Sequence, residues 1–201
     1  MPIKAVIFDL DGTITEPFFD FDAMRSEMGL TGEDGPIWEA MEKMAPERRR
    51  EAERILDYHE NLAVSESTLN LGAKETLEQL RQMGIFIGVL TRNKKCNASA
   101  VAEKHGLFFD AVLGREEGPV KPDAFGVLRL CEKFGIEPGQ TIMVGDFLFD
   151  IQCANAAGAV SVLLKNHHRA DEFAEQADFV IENLGQILDI IGQVKRTLTR
   201  K

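Results

Sequence analysis

The stretch VIFDLDGTIT, residues 6–15, runs an apolar strand straight into two aspartates, Asp9 and Asp11, followed at once by Gly12. Residues i and i+2 of an extended chain face the same side, so the two carboxylates share a face while Leu10 turns away. Gly12, lacking a Cβ, lets the backbone turn sharply after them. Like charges so close repel one another, and a chain that keeps them implies a nearby cation that uses or neutralises them.

Working outward, four more short apolar runs resemble the one that ends at Phe8: IFIGVL (85–90), AVLG (111–114), TIMVG (141–145) and VSVLL (160–164). None alternates polar with apolar residues, which suits strands of a parallel sheet covered on both faces. Helical spacing lies between and after them. Ala73, Thr76, Leu77 and Leu80 fall at i, i+3, i+4 and i+7, as do Ala124, Val127, Leu128 and Cys131, and again Leu184, Ile187, Leu188 and Ile191. Strands alternating with helices predict an α/β fold with right-handed crossovers. Residues 16–67 break the alternation. They contain no strand-like run, and three helical patterns follow one another: Phe21, Met24 and Met28; Ile37, Trp38, Met41 and Met44; then Ala52, Ile55, Leu56 and Leu62 after Pro46. The predicted organisation is a core made of residues 1–15 plus 68–201 and an inserted helical lid over 16–67.

In open parallel sheets ligands bind outside the C-terminal strand ends. Reading only those ends gives Asp9 and Asp11, Thr91, then Asp146 with Asp150 just beyond; Lys121 lies shortly after the third strand. A carboxylate is a competent nucleophile toward phosphoryl groups, and a second carboxyl beside it can protonate the leaving alkoxide and then activate water. An anion attacking an anion needs countercharge. Mg²⁺, a hard ion that prefers oxygen ligands, would take Asp9, Asp146 and a nearby backbone carbonyl, with Lys121 on the far side of the phosphoryl group.

These residues, in this order, resemble the four-motif signature of the haloacid dehalogenase superfamily: DLDGT, a strand-end threonine, a lysine, then GDFLFD. The phosphoglycolate-phosphatase-like branch is the most similar. The resemblance implies a Rossmann-like sheet of order 5-4-1-2-3 with helices on both faces. It implies an aspartyl-phosphate on Asp9, acid/base work by Asp11, and a metal set of Asp9, Asp11, Asp146 and Asp150. Phosphate binding would fall to Thr91, to Lys121 and to the amides of Arg92 and Asn93. It also implies a helical cap after the first motif. Halide-displacing members lack the second aspartate, so Asp11 points to phosphate esters. Phosphonate-cleaving members replace that aspartate too and use a cap lysine, for which Lys43 is the one candidate. The expected activity is a Mg²⁺-dependent phosphatase acting on a small phosphorylated metabolite. A sugar-phosphate mutase of the same family and a receiver-type phospho-accepting domain are the alternatives.

Composition narrows the partners. Over 201 residues the formal net charge is −10, which argues against nucleic acid, whose backbone needs a basic footprint. An acidic protein that holds a phosphate must make its site locally positive, as a metal and Lys121 would. Cys96, Cys131 and Cys153 form no paired motif and read as small buried hydrophobes of a reducing compartment. No run reaches the roughly 18 apolar residues of a membrane span, and the start does not read as a signal peptide, so a cytoplasmic location is expected. Asp20, Asp22, Asp110 and Asp123 read as turn or cap residues. The arginines at 48–50 read as a solvated helix face, and His167 and His168 as an exposed loop.

Overall fold

The computed structural model describes residues 2–198. The chain divides into two compact units, one being Phe18–Ser67 and the other the remaining residues on either side of it.

The larger unit is built on a fully parallel sheet. Its strands are β1 (Ala5–Phe8), β2 (Phe86–Leu90), β3 (Ala111–Leu113), β4 (Thr141–Gly145), β5 (Val160–Leu164) and β6 (Phe179–Ile181), in spatial order β3-β2-β1-β4-β5-β6. The first five follow the expected succession. The expected order of five is corrected by β6, which pairs with β5 from Val162↔Phe179 to Leu164↔Ile181 and closes that edge. β6 is only three residues long and half exposed at Val180, so its apolar content is too small to stand out in the sequence.

β1 is central. All four of its residues are buried, with Ala5–Phe8 paired to β2 on one side and β4 on the other. Its alternating residues therefore need cover on both faces. Ile7 belongs to one buried cluster with Val127, Leu130 and Cys131 of helix Phe125–Phe134 and Cys153 and Ala154 of helix Leu148–Ala157. The first of these helices turns a face slightly different from the expected one: Leu130 is fully buried, whereas Leu128 is 46% exposed. Because every strand points the same way, all C-terminal ends lie along one rim.

The Phe18–Ser67 unit holds helices Phe21–Glu27, Ile37–Glu42 and Pro46–Glu66 around its own core of Met24, Met28, Met41, Ala52 and Leu56. Unbranched methionine side chains fill irregular gaps between such short helices. Asp20 caps the first helix by accepting the Ala23 N–H at 2.9 Å. Arg49 pairs with Glu53, and Arg48 donates to the Gly29 carbonyl. In the larger unit the chain leaves and returns at one place, where Thr15 pairs antiparallel with Leu69 and the Glu16 N–H donates to the Thr68 carbonyl. Cys131 and Cys153 are buried as expected. Cys96 is exposed, because it lies on the outer side of helix Lys95–His105. No described helix is long and apolar enough to cross a membrane.

Candidate active site

Strand ends bring the predicted residues to one rim. β1 delivers Asp9, whose backbone N–H still donates to the Val144 carbonyl of β4 at 2.9 Å. Its carboxylate accepts the Leu10 N–H at 2.7 Å and meets Lys121 Nζ at 2.7 Å. Lys121 also meets Asp150 Oδ1 at 2.6 Å, and both residues are almost completely buried. Asp150 is the third residue of helix Leu148–Ala157, where its second oxygen accepts the Phe147 N–H at 3.1 Å. It is thus both a helix cap and the buried partner of a lysine.

Asp146 follows directly on β4 and is 6% exposed. Thr13 Oγ1 donates to its Oδ1 at 3.1 Å. Gly12 packs against the same carboxylate: a Cβ there would lie 2.5 Å from Asp146 Oδ2, and φ at this residue is +83°. Only glycine fits both demands. Gly145 is constrained similarly, since a Cβ would come within 2.0 Å of Asp150 Cγ.

Asp9, Asp146 and Asp150 each place a carboxylate oxygen within 4.8 Å of the others. When ionised they outnumber the single ammonium of Lys121 three to one. Burial, then the charges of Asp150 and Asp9, push the Asp146 carboxyl well above the usual carboxylate range, against the weaker pull of Thr13 and Lys121. Burial also raises Asp150, to about 6, with Lys121 opposing and Asp9 reinforcing the rise. Lys121 is held protonated: burial works against its charge, but Asp150 and Asp9 outweigh it. A partly buried, all-oxygen cluster with surplus negative charge suits a hard divalent cation.

Asp11 stands outside this trio, with its Oδ2 accepting a hydrogen bond from Asn93 Nδ2 at 3.3 Å. Thr91 follows directly on β2 and is buried, and its Oγ1 accepts the Asn93 N–H at 3.0 Å. That amide, expected to face a phosphoryl oxygen, is here engaged within its own turn. Asn93 Oδ1 in turn accepts the Lys94 N–H at 2.7 Å and Asn97 Nδ2 at 2.8 Å, fixing the start of helix Lys95–His105. The Arg92 guanidinium donates to the Lys121 carbonyl and lies 4.8 Å over the Phe149 ring, so its side chain ties the β2 loop to the lysine loop. The Lys121–Pro122 peptide is cis. His167 does not sit in open solvent, since its ring packs 5.0 Å from Phe147.

Three contributors escape a reading confined to strand ends and charged residues. Thr13 is one, although it belongs to the DLDGT stretch itself. Asn70 and Asn166, which contact the turn around Thr13, are the others; uncharged amides at chain re-entry and after β5 give no sequence signal of their own.

Known proteins resemble this chain in sequence and in fold. The family described as haloacid dehalogenase-like hydrolase matches residues 3–158. An uncharacterized hydrolase of Saccharomyces cerevisiae is 31% identical over 203 residues, covering 96% of this chain and 93% of the relative. A phosphoglycolate phosphatase of Chromobacterium violaceum is 28% identical over 225 residues, covering 94% and 96%. Among solved structures, a predicted phosphoglycolate phosphatase from Haemophilus somnus superposes with a TM-score of 0.75 at 23% identity, over 94% of this chain and 97% of the other.

Proposed function

This chain belongs to the haloacid dehalogenase-like hydrolase family, and on that premise we propose that it is a Mg²⁺-dependent phosphatase of small phosphorylated metabolites. The observation that carries the reading is the Lys121 ammonium held between Asp9 and Asp150 beside Asp146, a charge pattern that wants both a divalent cation and an anion. Relatives named phosphoglycolate phosphatase support phosphate-ester hydrolysis. They make phosphoglycolate the first substrate to try.

In this reading Asp9 is the nucleophile. Its carboxylate attacks phosphorus, the ester oxygen leaves, and Asp11 supplies the proton that the departing alkoxide needs. The resulting aspartyl-phosphate is hydrolysed when Asp11, now a base, takes a proton from the attacking water. Lys121 fixes the Asp9 rotamer and faces the phosphoryl charge. Thr91, with Arg92 and Asn93 in the same turn, borders the phosphoryl oxygens. Asp9, Asp146 and Asp150, with Asp11 nearby, would hold Mg²⁺, which when bound offsets negative charge on the phosphoryl group. Residues 1–15 with 68–201 form the catalytic core in this proposal and 16–67 the cap; no macromolecular partner is required, and the setting is cytoplasmic.

Hydrolysis of p-nitrophenyl phosphate tests the reading. It is expected with Mg²⁺ and lost with EDTA or in Asp9→Asn; hydrolysis surviving both treatments would overturn it.

A further inference from the structure

Two asparagines outside the four motifs converge on the turn after Asp11. Asn70 stands where the chain re-enters the sheet-bearing unit, and Asn166 follows β5. Asn70 Nδ2 donates to the carbonyls of Gly12 (3.1 Å), Thr13 (2.8 Å) and Thr15 (2.9 Å), while its backbone N–H donates to Ile14 O at 3.0 Å. Asn166 Nδ2 donates to Gly12 O at 2.8 Å and to Asn70 Oδ1 at 3.2 Å. The amide orientation follows from chemistry: carbonyls only accept, so each side chain must present its NH₂ to the turn.

The turn so held is not a spectator. Its Thr13 hydroxyl donates to Asp146 Oδ1, and its Gly12 lies directly against the Asp146 carboxylate. Irregular backbone needs its carbonyls satisfied, and any donor would serve that purpose. Here two distant segments supply linked donors that fix the height and rotation of the one peptide carrying Thr13.

We propose that Asn70 and Asn166 are positioning residues for the divalent-cation site, acting through Thr13 to keep the Asp146 carboxylate turned toward Asp9 and Asp150. The inference rests on the reading of those three aspartates as metal ligands. Groups that orient a ligating carboxylate are worth tenfold or more in metal affinity when removed. Orientation by way of Thr13 further requires the effects to be non-additive, since either loss alone releases the same carboxylate.

Mn²⁺ binding to the intact protein, followed by electron paramagnetic resonance at fixed ionic strength, tests this without relying on turnover. Wild type and Asp146→Asn come first: no binding by wild type, or equal binding by both, sinks the metal reading itself. If wild type binds and Asp146→Asn does not, Asn166→Ala and Thr13→Val are each expected to raise the Kd by about tenfold, with the double variant little worse than either. Thr13→Ser, which keeps the hydroxyl, should restore affinity. Unchanged affinity in Asn166→Ala, or effects that simply add, would overturn the positioning role. Asn70→Ala, which removes the larger share of the bonds, is the stronger arm where it folds; Asn166→Ala decides the matter where it does not.

Discussion

Asp146 shows how the site trades stability for charge. It is buried, faced by Asp150 and Asp9, and its carboxyl is pushed well above the usual range by burial first and those charges second. An amide in its place would keep an acceptor for Thr13 and remove the repulsion. Asp146→Asn is therefore expected to melt at a higher temperature than wild type in EDTA, while phosphatase turnover falls by a factor on the order of 100 or more. Calorimetry and a steady-state assay check the pair of outcomes; a lower melting temperature in EDTA would show that the charge is not a burden. Lys121 is the residue that makes the ionised cluster tolerable, with its ammonium within 2.7 Å of Asp9 and 2.6 Å of Asp150. Asp9, Asp146, Asp150 and Lys121 were all legible in the sequence because charged residues at apolar strand ends are conspicuous. Thr13, Asn70 and Asn166 were not, because neutral side chains that bond to backbone leave no pattern of charge or hydrophobicity.

Among elements, the strands were readable because a buried parallel strand is a continuous apolar run, as TIMVG is in β4, whose five residues are all buried. β6 was not, since three residues at a sheet edge with Val180 facing water carry little apolar signal. Helix Phe125–Phe134 forms where the spacing predicts one, with Val127 and Cys131 buried as expected but Leu130 in place of Leu128 on the buried face. The spacing Ala124, Val127, Leu128, Cys131 and the spacing Val127, Leu130, Cys131, Phe134 are both helical, and only packing decides between them. In the folded chain Leu130 is buried and Leu128 is 46% exposed. Leu130→Ala should cost roughly 2–5 kcal/mol and Leu128→Ala no more than about 0.5 kcal/mol. Urea denaturation of the two variants measures the difference, and equal losses would contradict the assigned face.

For the molecule as a whole, the cluster links stability to pH and to metal. Asp150 has an ordinary value of 3.8 and stands at about 6 in the folded chain, chiefly through burial. A native carboxyl raised in this way contributes stability that is full below about 4 and lost as pH rises through about 6. A bound cation needs the ionised form, so protons and metal compete. The rise in melting temperature produced by saturating Mg²⁺ over EDTA is expected to shrink as pH falls from 7.5 to 5, and a constant rise would contradict the linkage. With a net charge of −10, local compensation by Lys121 and a cation is what would let such a protein hold a phosphate ester under the proposed function. The claim on which all of this converges is covalent: Asp9 takes the phosphoryl group. Acid quench of Asp11→Asn with substrate and Mg²⁺, followed by peptide mass spectrometry, tests it directly. The account predicts one phosphoryl group on Asp9, absent when Asp9→Asn is added; a phosphoryl group on another residue, or undiminished turnover in the double variant, would contradict it.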